Sequence, residues 1–269
     1  MINENKKEHF RTIESGGIRI LKQERHKRIL EMIEENMFLK VNEAARRLGV
    51  TEMTIRRDFQ FLEEQGRIIR VHGGARKKPP GGYIELSHDE KKTLNIREKK
   101  YVAKKAAELI KPDDTVFIGP GTTTELIYDY IQAPSLNVIT NSITIFNKFQ
   151  ENKNFHVVLV GGRLRERTKT FVGYFAGKWI RDIKVQKAFI GTNGIADEHI
   201  TTADEEEGAL QRIVLENSAE KYVVADSSKF GVRAFQIICH VQEITGIITD
   251  PDIPPLYQKL YKDQCQIIC

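Results

Sequence analysis

The sequence has few of the residues that mark secreted, metal-binding and membrane proteins. Its 269 residues include three cysteines, and Cys239, Cys265 and Cys269 follow no metal-ligand spacing. This set excludes a disulfide scaffold and is typical of a reduced, intracellular protein. No run approaches the roughly 20 apolar residues that span a bilayer, and residues 1–20 lack the charged-then-apolar pattern of an export signal. We therefore expect a cytoplasmic protein that binds no metal and no membrane.

Positive charge is distributed unevenly along the chain. Residues 21–78 carry 14 Lys and Arg against 9 Asp and Glu, whereas residues 79–269 carry 24 against 25. The first of these segments alone has a net charge of +5, which equals the formal net charge of the whole chain. A basic module joined to a nearly neutral body is expected when one end of a protein binds nucleic acid.

Residues 41–75 have the pattern of a helix-turn-helix followed by a β-hairpin wing. A scaffold helix is predicted before them, over Lys22–Asn36, and Asn42 is the predicted N-cap of a short helix that Gly49 ends. Thr51 then caps a second helix. Its apolar residues recur at helical spacing and are Ile55, Phe59 and Leu62. A helical hairpin with a solvated charged face is the alternative interpretation, but the segregated charge favours binding to DNA.

In this motif the N-terminal residues of the second helix reach base edges, while neighbouring side chains bind phosphates. We therefore predict that double-stranded operator DNA is contacted by this helix, by the wing and by the residue before the first helix. The predicted DNA-binding residues are Lys40, Thr51, Met53, Thr54, Arg56, Arg57, Arg70 and His72. Because operator symmetry mirrors protein symmetry, we also expect a homo-oligomer.

The length of the chain predicts more than one domain. Residues 1–20 are polar and lack periodicity, which predicts a flexible tail or a translation start nearer to Leu21. The predicted domains are a winged helix-turn-helix domain over 21–76, a Pro- and Gly-marked linker over 77–92 and a ligand-sensing domain over 93–269.

From about residue 93 onward, short apolar runs alternate with segments long enough for helices. This order predicts an α/β domain with a mostly parallel sheet that helices cover on both faces. The predicted strands lie at 116–118, 137–139, 156–160, 187–190, 222–225 and 244–248.

Ligands of such sheets bind at the carboxyl ends of the strands. The sequence G-P-G-T-T-T at 119–124 follows a strand and is predicted to open a helix over 125–131, where N–H groups and hydroxyls bind an anion. A tight connection is the alternative, but three consecutive threonines favour ligand contact. The predicted ligand residues are Gly121, Thr122, Thr123, Thr124, Asn141, Gly162, Asn193, Glu205, Asp226 and Lys229.

The run T-E-M-T-I-R-R-D-F-Q-F-L-E-E-Q-G-R-I-I-R-V-H-G-G-A, at 51–75, resembles the N-terminal signature of the DeoR family of bacterial transcriptional regulators. The resemblance extends through G-G-R-L at 161–164, I-G-T-N-G-I at 190–195 and D-S-S-K-F-G at 226–231, and so covers roughly residues 21–269. S-H-D-E-K at 87–91 and F-I-G-P-G-T-T at 117–123 are most similar to repressors of phosphotransferase-type lactose operons.

This resemblance implies a repressor of a carbohydrate-utilisation operon whose second domain folds like ribose-phosphate isomerases and glucosamine-phosphate deaminases. It implies a sugar-phosphate effector, with tagatose 6-phosphate as one candidate, no cofactor and no catalytic residue. The alternative is an isomerase-like enzyme with an accessory DNA module, for which Asp226, Glu205 and Glu206 would be acid/base candidates. Many family members carry an Asp where this chain has Gly119 and Pro120, which weakens that alternative.

Overall fold

The computed structural model describes residues 20–36, 38–65, 67–71, 73–77 and 85–269. The chain divides into two compact units, Met1–Lys78 and Pro79–Cys269, called here the first and the second unit. The predicted tail up to residue 19, the predicted DNA contact His72 and residues 78–84 of the predicted linker lie outside the described residues. None of the helices within the described ranges is both long and apolar enough to traverse a bilayer.

The first unit is a winged helix-turn-helix. Its elements are α1 (Lys22–Asn36), β1 (Phe38–Lys40), α2 (Val41–Leu48), α3 (Glu52–Glu64), β2 (Ile68–Val71) and β3 (Gly74–Lys77). The strands form an antiparallel sheet in the order β1-β3-β2. One apolar core joins the three helices to this sheet, because each helix turns its apolar stripe inward.

The ends of α2 and α3 follow local chemistry. Gly49 ends α2 in the left-handed region at φ 63°, as the sequence predicts. Thr51 caps α3 by accepting a hydrogen bond from the N–H of Thr54 at 3.2 Å. The prediction for Asn42 is wrong: α2 begins at Val41, with Lys40 as its N-cap residue, because β1 runs directly into the helix.

The second unit is an α/β fold. Its helices are α4 (His88–Lys92), α5 (Ile96–Glu108), α6 (Ile143–Phe149), α7 (Tyr174–Arg181), α8 (Glu205–Glu216) and α9 (Pro255–Tyr261), with short 3-10 helices at Thr124–Tyr130, Ser227–Lys229 and Val241–Glu243. Its strands are β4 (Thr115–Ile118), β5 (Leu136–Thr140), β6 (Phe155–Leu159), β7 (Arg163–Arg165), β8 (Thr170–Val172), β9 (Val185–Gly191), β10 (Gly194–Ala196), β11 (His199–Thr202), β12 (Ser218–Val224), β13 (Gln236–His240), β14 (Gly246–Ile248) and β15 (Gln266–Ile268).

Seven of these strands form one parallel sheet in the order β15-β14-β12-β9-β4-β5-β6. Successive side chains of β4 alternate between two cores, with Phe117 in one and Val116 and Ile118 in the other. Helices α5 and α6 cover one face, and α7 and α8 cover the other. The predicted fold class is confirmed, and each of the six predicted strands coincides with a strand of this sheet.

Three parts of the second unit differ from the sequence-based prediction. Short antiparallel pairings, β7-β8 and β10-β11-β13, were not predicted. The helix predicted over 125–131 is a 3-10 helix at Thr124–Tyr130, because consecutive threonines disfavour an α-helix. The C-terminal part of the predicted linker is α4, which the Ser87–Glu90 capping box begins.

Candidate functional site

Helix α3, the second helix of the helix-turn-helix and here called the recognition helix, presents an exposed polar face. The side chains of Met53, Arg56 and Arg57 are exposed, and Thr54 is half-buried beside the N-cap. Arg56 lies 3.3 Å from Glu52, one helical turn earlier, whereas Arg57 makes no hydrogen bond or ion pair with the described residues. The first turns of α3 therefore offer two cations to a phosphate or a base edge.

A buried ion network fastens the opposite side of α3 to α1. Asp58 accepts hydrogen bonds from the guanidinium of Arg25 at 2.5 and 2.9 Å and lies 2.9 Å from Nε2 of His26. Burial alone would raise the pKa of Asp58, but these two partners hold it below its usual value. The network keeps the Asp58 carboxylate on the inner side of α3, away from the exposed Arg56 and Arg57.

The sheet adds cations next to the helix-turn-helix. Lys40, at the end of β1, and Arg70, on β2, are exposed on the two strands that flank β3. The Arg70 guanidinium lies 3.7 Å from the carboxylate of Glu63, which also accepts the Arg70 N–H at 2.9 Å. Lys40, Arg56, Arg57 and Arg70 are thus exposed as the sequence predicts, but their contacts with DNA stay predictions.

In the second unit, a pocket opens at the carboxyl ends of the adjacent strands β12, β9 and β4. The chain adds β5 and β6 on one side of β4 and then returns to add β9 and β12 on the other side. The pocket therefore lies at the topological switch point, where open α/β sheets bind ligands. Of the predicted ligand residues, the structure places at this pocket Gly121, Thr122, Thr123, Asn193 and Lys229.

Three lysines line this pocket: Lys91 on α4, Lys99 on α5 and Lys229 after β12. Burial lowers the pKa of Lys99 to about 8; the negative charge of Asp226 opposes this shift, and the positive charge of Lys229 adds to it. Burial also lowers the pKa of Lys91. The ammonium of Lys99 donates a hydrogen bond to the carbonyl of Lys91, which ties α5 to α4. An anion in the pocket would relieve the repulsion among these cations.

Helix α8 contributes a carboxylate and an amide that are one turn apart. Glu207 accepts a hydrogen bond from the Thr168 hydroxyl and lies 3.4 Å from Nη1 of Arg165. Burial raises the pKa of Glu207 against the effect of these partners. Gln211 donates to the carbonyl of Gly191 at 3.1 Å, and within the described residues its buried Oε1 accepts no hydrogen bond.

Arg165 connects this wall to the first described residues of the second unit. Its guanidinium forms two hydrogen bonds with Glu85, at 2.9 and 2.5 Å, which raise the pKa of Arg165, and lies 3.1 Å from Asp204, the N-cap of α8. Nε2 of His88, which lines the pocket, lies 2.8 Å from Glu125. Burial would raise the pKa of Glu125, but His88 and nearby lysines hold it below its usual value.

Three predicted residues at strand ends are not among the residues that line the pocket. The hydroxyl of Thr124 points into the protein and donates to the carbonyl of Gly119 at 2.7 Å, so it supports the loop. Asn141 follows β5, one strand further from the pocket, and its amide donates to a backbone carbonyl on β8 at 2.9 Å. Gly162 follows the edge strand β6 and packs on β8, where a Cβ would lie 2.7 Å from the Val172 carbonyl oxygen.

The two predicted carboxylates are also displaced from the pocket. Glu205 is exposed at the start of α8, and Glu207, on the inward face of the helix, takes its place in the candidate site. Asp226 is buried behind the pocket wall and accepts hydrogen bonds from Asn95, at 3.1 Å, and from Ser228. Its charge therefore acts on the pocket through Lys99 and not by lining it.

The structure adds residues that the sequence reasoning missed, namely His88, Lys91, Lys99, Thr168, Glu207 and Gln211. The pair on α8 had a signal, because Glu207 and Gln211 share a helical face with the buried Leu210 and Val214. The two lysines had none, since nothing in the local sequence distinguishes them from the other lysines of α4 and α5. Within the described ranges, no group of three or more His, Cys, Asp or Glu is placed to hold a metal ion.

A basic winged helix joined to an α/β unit with a switch-point pocket defines a DNA-binding regulator. Residues 25–78 match the DeoR-like helix-turn-helix domain, and residues 94–251, more than half of the chain, match the DeoR C terminal sensor domain. The chain therefore belongs to the DeoR family of transcription regulators, as its sequence motifs indicate.

Two proteins named lactose phosphotransferase system repressor are similar to the chain. The one from Staphylococcus epidermidis is 38% identical over 231 residues, which cover 85% of this chain and 92% of the relative. The one from Streptococcus mutans is 37% identical over 243 residues, which cover 90% and 97%. The chain is thus a regulator, and the alternative interpretation as an isomerase-like enzyme is wrong.

Solved structures of ribose 5-phosphate isomerase also align with the chain. The enzyme from Methanocaldococcus jannaschii does so at 19% identity with a TM-score of 0.36, over 51% of this chain and 55% of that chain. A likeness at this level says nothing about function.

Proposed function

We propose that the protein is a cytoplasmic repressor of a carbohydrate-utilisation operon, which binds double-stranded operator DNA as a homo-oligomer and is released by a phosphorylated sugar. The observation that carries this proposal is the convergence of three lysines and the Thr122–Thr123 loop on one pocket at the switch point. The names of the similar repressors favour a lactose-type operon, and tagatose 6-phosphate is our first candidate effector.

The phosphate is assigned to the basic wall. Lys91, Lys99 and Lys229 supply charge, and the hydroxyls of Thr122 and Thr123 supply donors in the same lining. Charge-assisted hydrogen bonds are about twice as strong as neutral ones, so this wall would supply most of the affinity.

The sugar hydroxyls are assigned to the α8 wall. Glu207 and Gln211 place oxygen atoms at the pocket, and the buried Oε1 of Gln211 has an acceptor position open to a ligand hydroxyl. Asn193 is held in place because its Oδ1 accepts from the Thr202 hydroxyl at 2.9 Å. A site that hydrogen-bonds hydroxyls rejects sugars that lack them, because its buried groups are then left unpaired.

Helix α4 is assigned the coupling role. It carries two pocket residues, His88 and Lys91, and it follows directly on Glu85, which Arg165 ties to the α8 wall. An effector that binds Lys91 or Glu207 therefore acts on the segment through which the chain enters the second unit. Release from DNA requires different affinities of the effector for two arrangements, typically worth about 1–3 kcal/mol per site.

An operator-binding experiment tests the proposal. A duplex selected from a random library by the full chain is titrated in gel shifts, with and without a panel of ketose and aldose phosphates and with inorganic phosphate as the control. We expect one sugar phosphate to stabilise the protein against heat and to release the duplex. Thr123→Ala and Lys229→Ala should bind the duplex normally and respond weakly to that sugar phosphate, whereas the matched surface variant Lys100→Ala should respond like wild type. Absence of any response to hexose phosphates would contradict the proposal.

A further inference from the structure

Helix α7 has an uncovered aromatic face. Tyr174, Phe175 and Trp179 are 76%, 70% and 66% exposed, while Ala176 and Ile180 of the same helix are buried against the sheet. The first two rings also contact each other edge to face, with centroids 5.6 Å apart. Contiguous exposed apolar patches on soluble proteins mark interaction surfaces.

A groove between α7 and α8 lies beside the first of these rings, since Tyr174 belongs to its lining. It is lined by the small residues Gly177 and Ala209 and by the apolar side chains of Leu210 and Ile213. A Cβ placed on Gly177 would lie 3.9 Å from Cδ1 of Ile213, an ordinary contact, so this glycine leaves space that a ring can fill. The same surface therefore has both projecting rings and a recess that can accept them.

The rim of the groove carries charges of both signs. Lys178 and Arg181, in the last turn of α7, and Glu206, in the first turn of α8, line the groove. Glu206 is paired with Arg163, and the neighbouring Glu205 is exposed and adds a second acidic charge at this end. In a two-fold pair in which α7 of one copy runs antiparallel to α7 of the other, each rim of one copy lies opposite the other rim of its partner. Basic and acidic rims then face each other, which is the electrostatic complementarity that a self-association needs.

We propose that this α7–α8 face, formed by Tyr174, Phe175, Gly177, Lys178, Trp179 and Ile213, pairs with the same face of a second copy of the chain. Each buried aromatic side chain removes about 150–250 Å² from solvent. Corrected for their present exposure, the three rings supply about half of the roughly 800 Å² that each partner buries in a standard interface. This inference deepens the proposed function and rests on it, because a protein that binds a two-fold symmetric operator is expected to be a two-fold symmetric dimer.

The experiment uses an internal probe of this face. Trp179 is the only tryptophan in the chain, so tryptophan fluorescence reports on α7 alone. The full chain is diluted stepwise, while sedimentation gives its mass, and emission and acrylamide quenching are recorded at each step. We expect a dimer whose dissociation coincides with a red shift of the emission and with stronger quenching. A dimer in which Trp179 is quenched as freely as in the monomer, or a monomer at every concentration, would overturn the proposal.

Two variants that keep the probe sharpen the test. Gly177→Gln fills the recess with a residue that favours helix more than glycine does, and Phe175→Ser removes one ring. Each should raise the dimer dissociation constant ten-fold or more. The control Phe235→Ser removes a ring that is 78% exposed elsewhere and should leave that constant unchanged. Equal effects of control and test variants, with native circular dichroism in all, would place the contact elsewhere.

The assay contains neither DNA nor sugar phosphate. A negative result therefore counts against this face and leaves the proposed function to be judged by the operator and effector titrations. A dimer with the expected behaviour that nevertheless ignores all operators and sugar phosphates would support the face and contradict the proposed function.

Discussion

The two units place their functional charges differently. On the recognition helix of the first unit, Arg56 and Arg57 are exposed and contribute nothing to the core. In the second unit, Lys99 and Glu207 line the pocket and are only 4% and 5% exposed. An exposed cation keeps its full charge and attracts a polyanion over a long range. A buried one interacts more strongly with a bound ion but titrates closer to neutrality.

Because of this difference, stability and binding depend on different side chains in the first unit but on the same side chains in the second unit. In the first unit, the buried Asp58 holds two helices together, and other, exposed side chains are available to DNA. In the second unit, Arg165 and Glu207 belong both to the network that fixes Glu85 and to the pocket wall or its direct support. Substitutions should therefore affect a single property in the first unit and several properties in the second.

The largest expected effect is on the stability of the first unit. Asp58→Ala leaves Arg25 and His26 largely buried without their acceptor, which should cost about 3 kcal/mol of the free energy of unfolding. Circular dichroism reports on both units, whereas Trp179 fluorescence reports only on the second. We expect the variant to lose part of its ellipticity at lower denaturant concentration, with the fluorescence transition unchanged. The control Glu64→Ala, on the exposed side of α3, should change stability by less than about 0.5 kcal/mol.

The same carboxylate predicts an acid dependence. Because the pKa of Asp58 is lowered in the folded state, its stabilisation is complete above the unfolded value of about 4 and is lost as pH falls through the folded value. Wild type and Asp58→Ala should thus converge in stability at acid pH. A constant difference down to the lowest pH would contradict the buried ion network.

The next largest effect concerns the pocket lysine. Lys99→Met should weaken sugar-phosphate binding about ten- to hundred-fold, since hydrogen bonds to charged groups are worth roughly 1.5–3 kcal/mol. Because the pKa of Lys99 is about 8, wild-type affinity should fall as pH rises through that value, and the variant should lack this step. Isothermal titration at several pH values measures both. Lys100→Met, on the exposed side of α5, should behave as wild type.

The stability of the ligand-free protein should respond to pH with the opposite sign. A lowered lysine pKa means that the charged form opposes folding below about pH 8, and that this opposition fades as pH rises toward the unfolded value of about 10.4. The stability difference between Lys99→Met and wild type should therefore shrink over that range. A difference that is independent of pH would contradict the burial of this ammonium.

For operator binding we expect an effect that is smaller than the effect of Lys99→Met on effector binding. Arg57→Ala should weaken it by about 1–3 kcal/mol if the guanidinium contacts a base edge, while the stability of the first unit stays the same. Arg56→Ala should have a smaller effect, because part of its charge is engaged by Glu52. Gel shifts with the selected duplex compare both with Arg97→Ala, an exposed arginine on α5. Normal operator affinity in both test variants would remove α3 from the DNA interface.

The smallest effect separates two glutamates that are two positions apart. Glu207→Gln should weaken effector binding by about 1 kcal/mol, because a charged acceptor becomes a neutral one. Glu205→Gln should change it by less than about 0.5 kcal/mol, since that side chain is exposed. A larger loss of effector affinity in Glu205→Gln than in Glu207→Gln would contradict this assignment and favour Glu205, the residue that the sequence predicts.

Local signals account for most of the fold that could be predicted. The strands of the parallel sheet are continuous apolar runs because both of their faces are buried, and α1, α3 and the Gly49 stop follow spacing and capping rules. The β7-β8 hairpin escaped prediction because its residues, such as Arg163 and Thr170, are polar and its strands have three residues each. Such short pairings depend on tertiary contacts more than on propensity.

The candidate pocket could be predicted only where it follows directly from a strand. Thr122, Thr123 and Asn193 were found because strand ends of a parallel sheet share one edge. Lys91 and Lys99 reach the pocket only through the packing of α4 and α5, which the local sequence does not show. Only the helical spacing that Glu207 shares with the buried Leu210 and Val214 distinguishes it from the exposed Glu205. The assignments of residues to DNA and effector, and the domain boundaries, stay predictions until binding is measured.

The paired hydrogen bonds between Arg165 and Glu85, called here the Arg165–Glu85 fork, also determine where modules can be exchanged between regulators. A chimera that joins another DNA-reading head ahead of Glu85 keeps both the fork and the pocket residues of α4. A junction placed after Lys92 leaves the seven-stranded sheet intact but deletes one wall of the pocket. In evolution, as in the construction of biosensors, a new DNA-binding module can therefore come under the control of the original effector only when the exchanged module ends before Glu85.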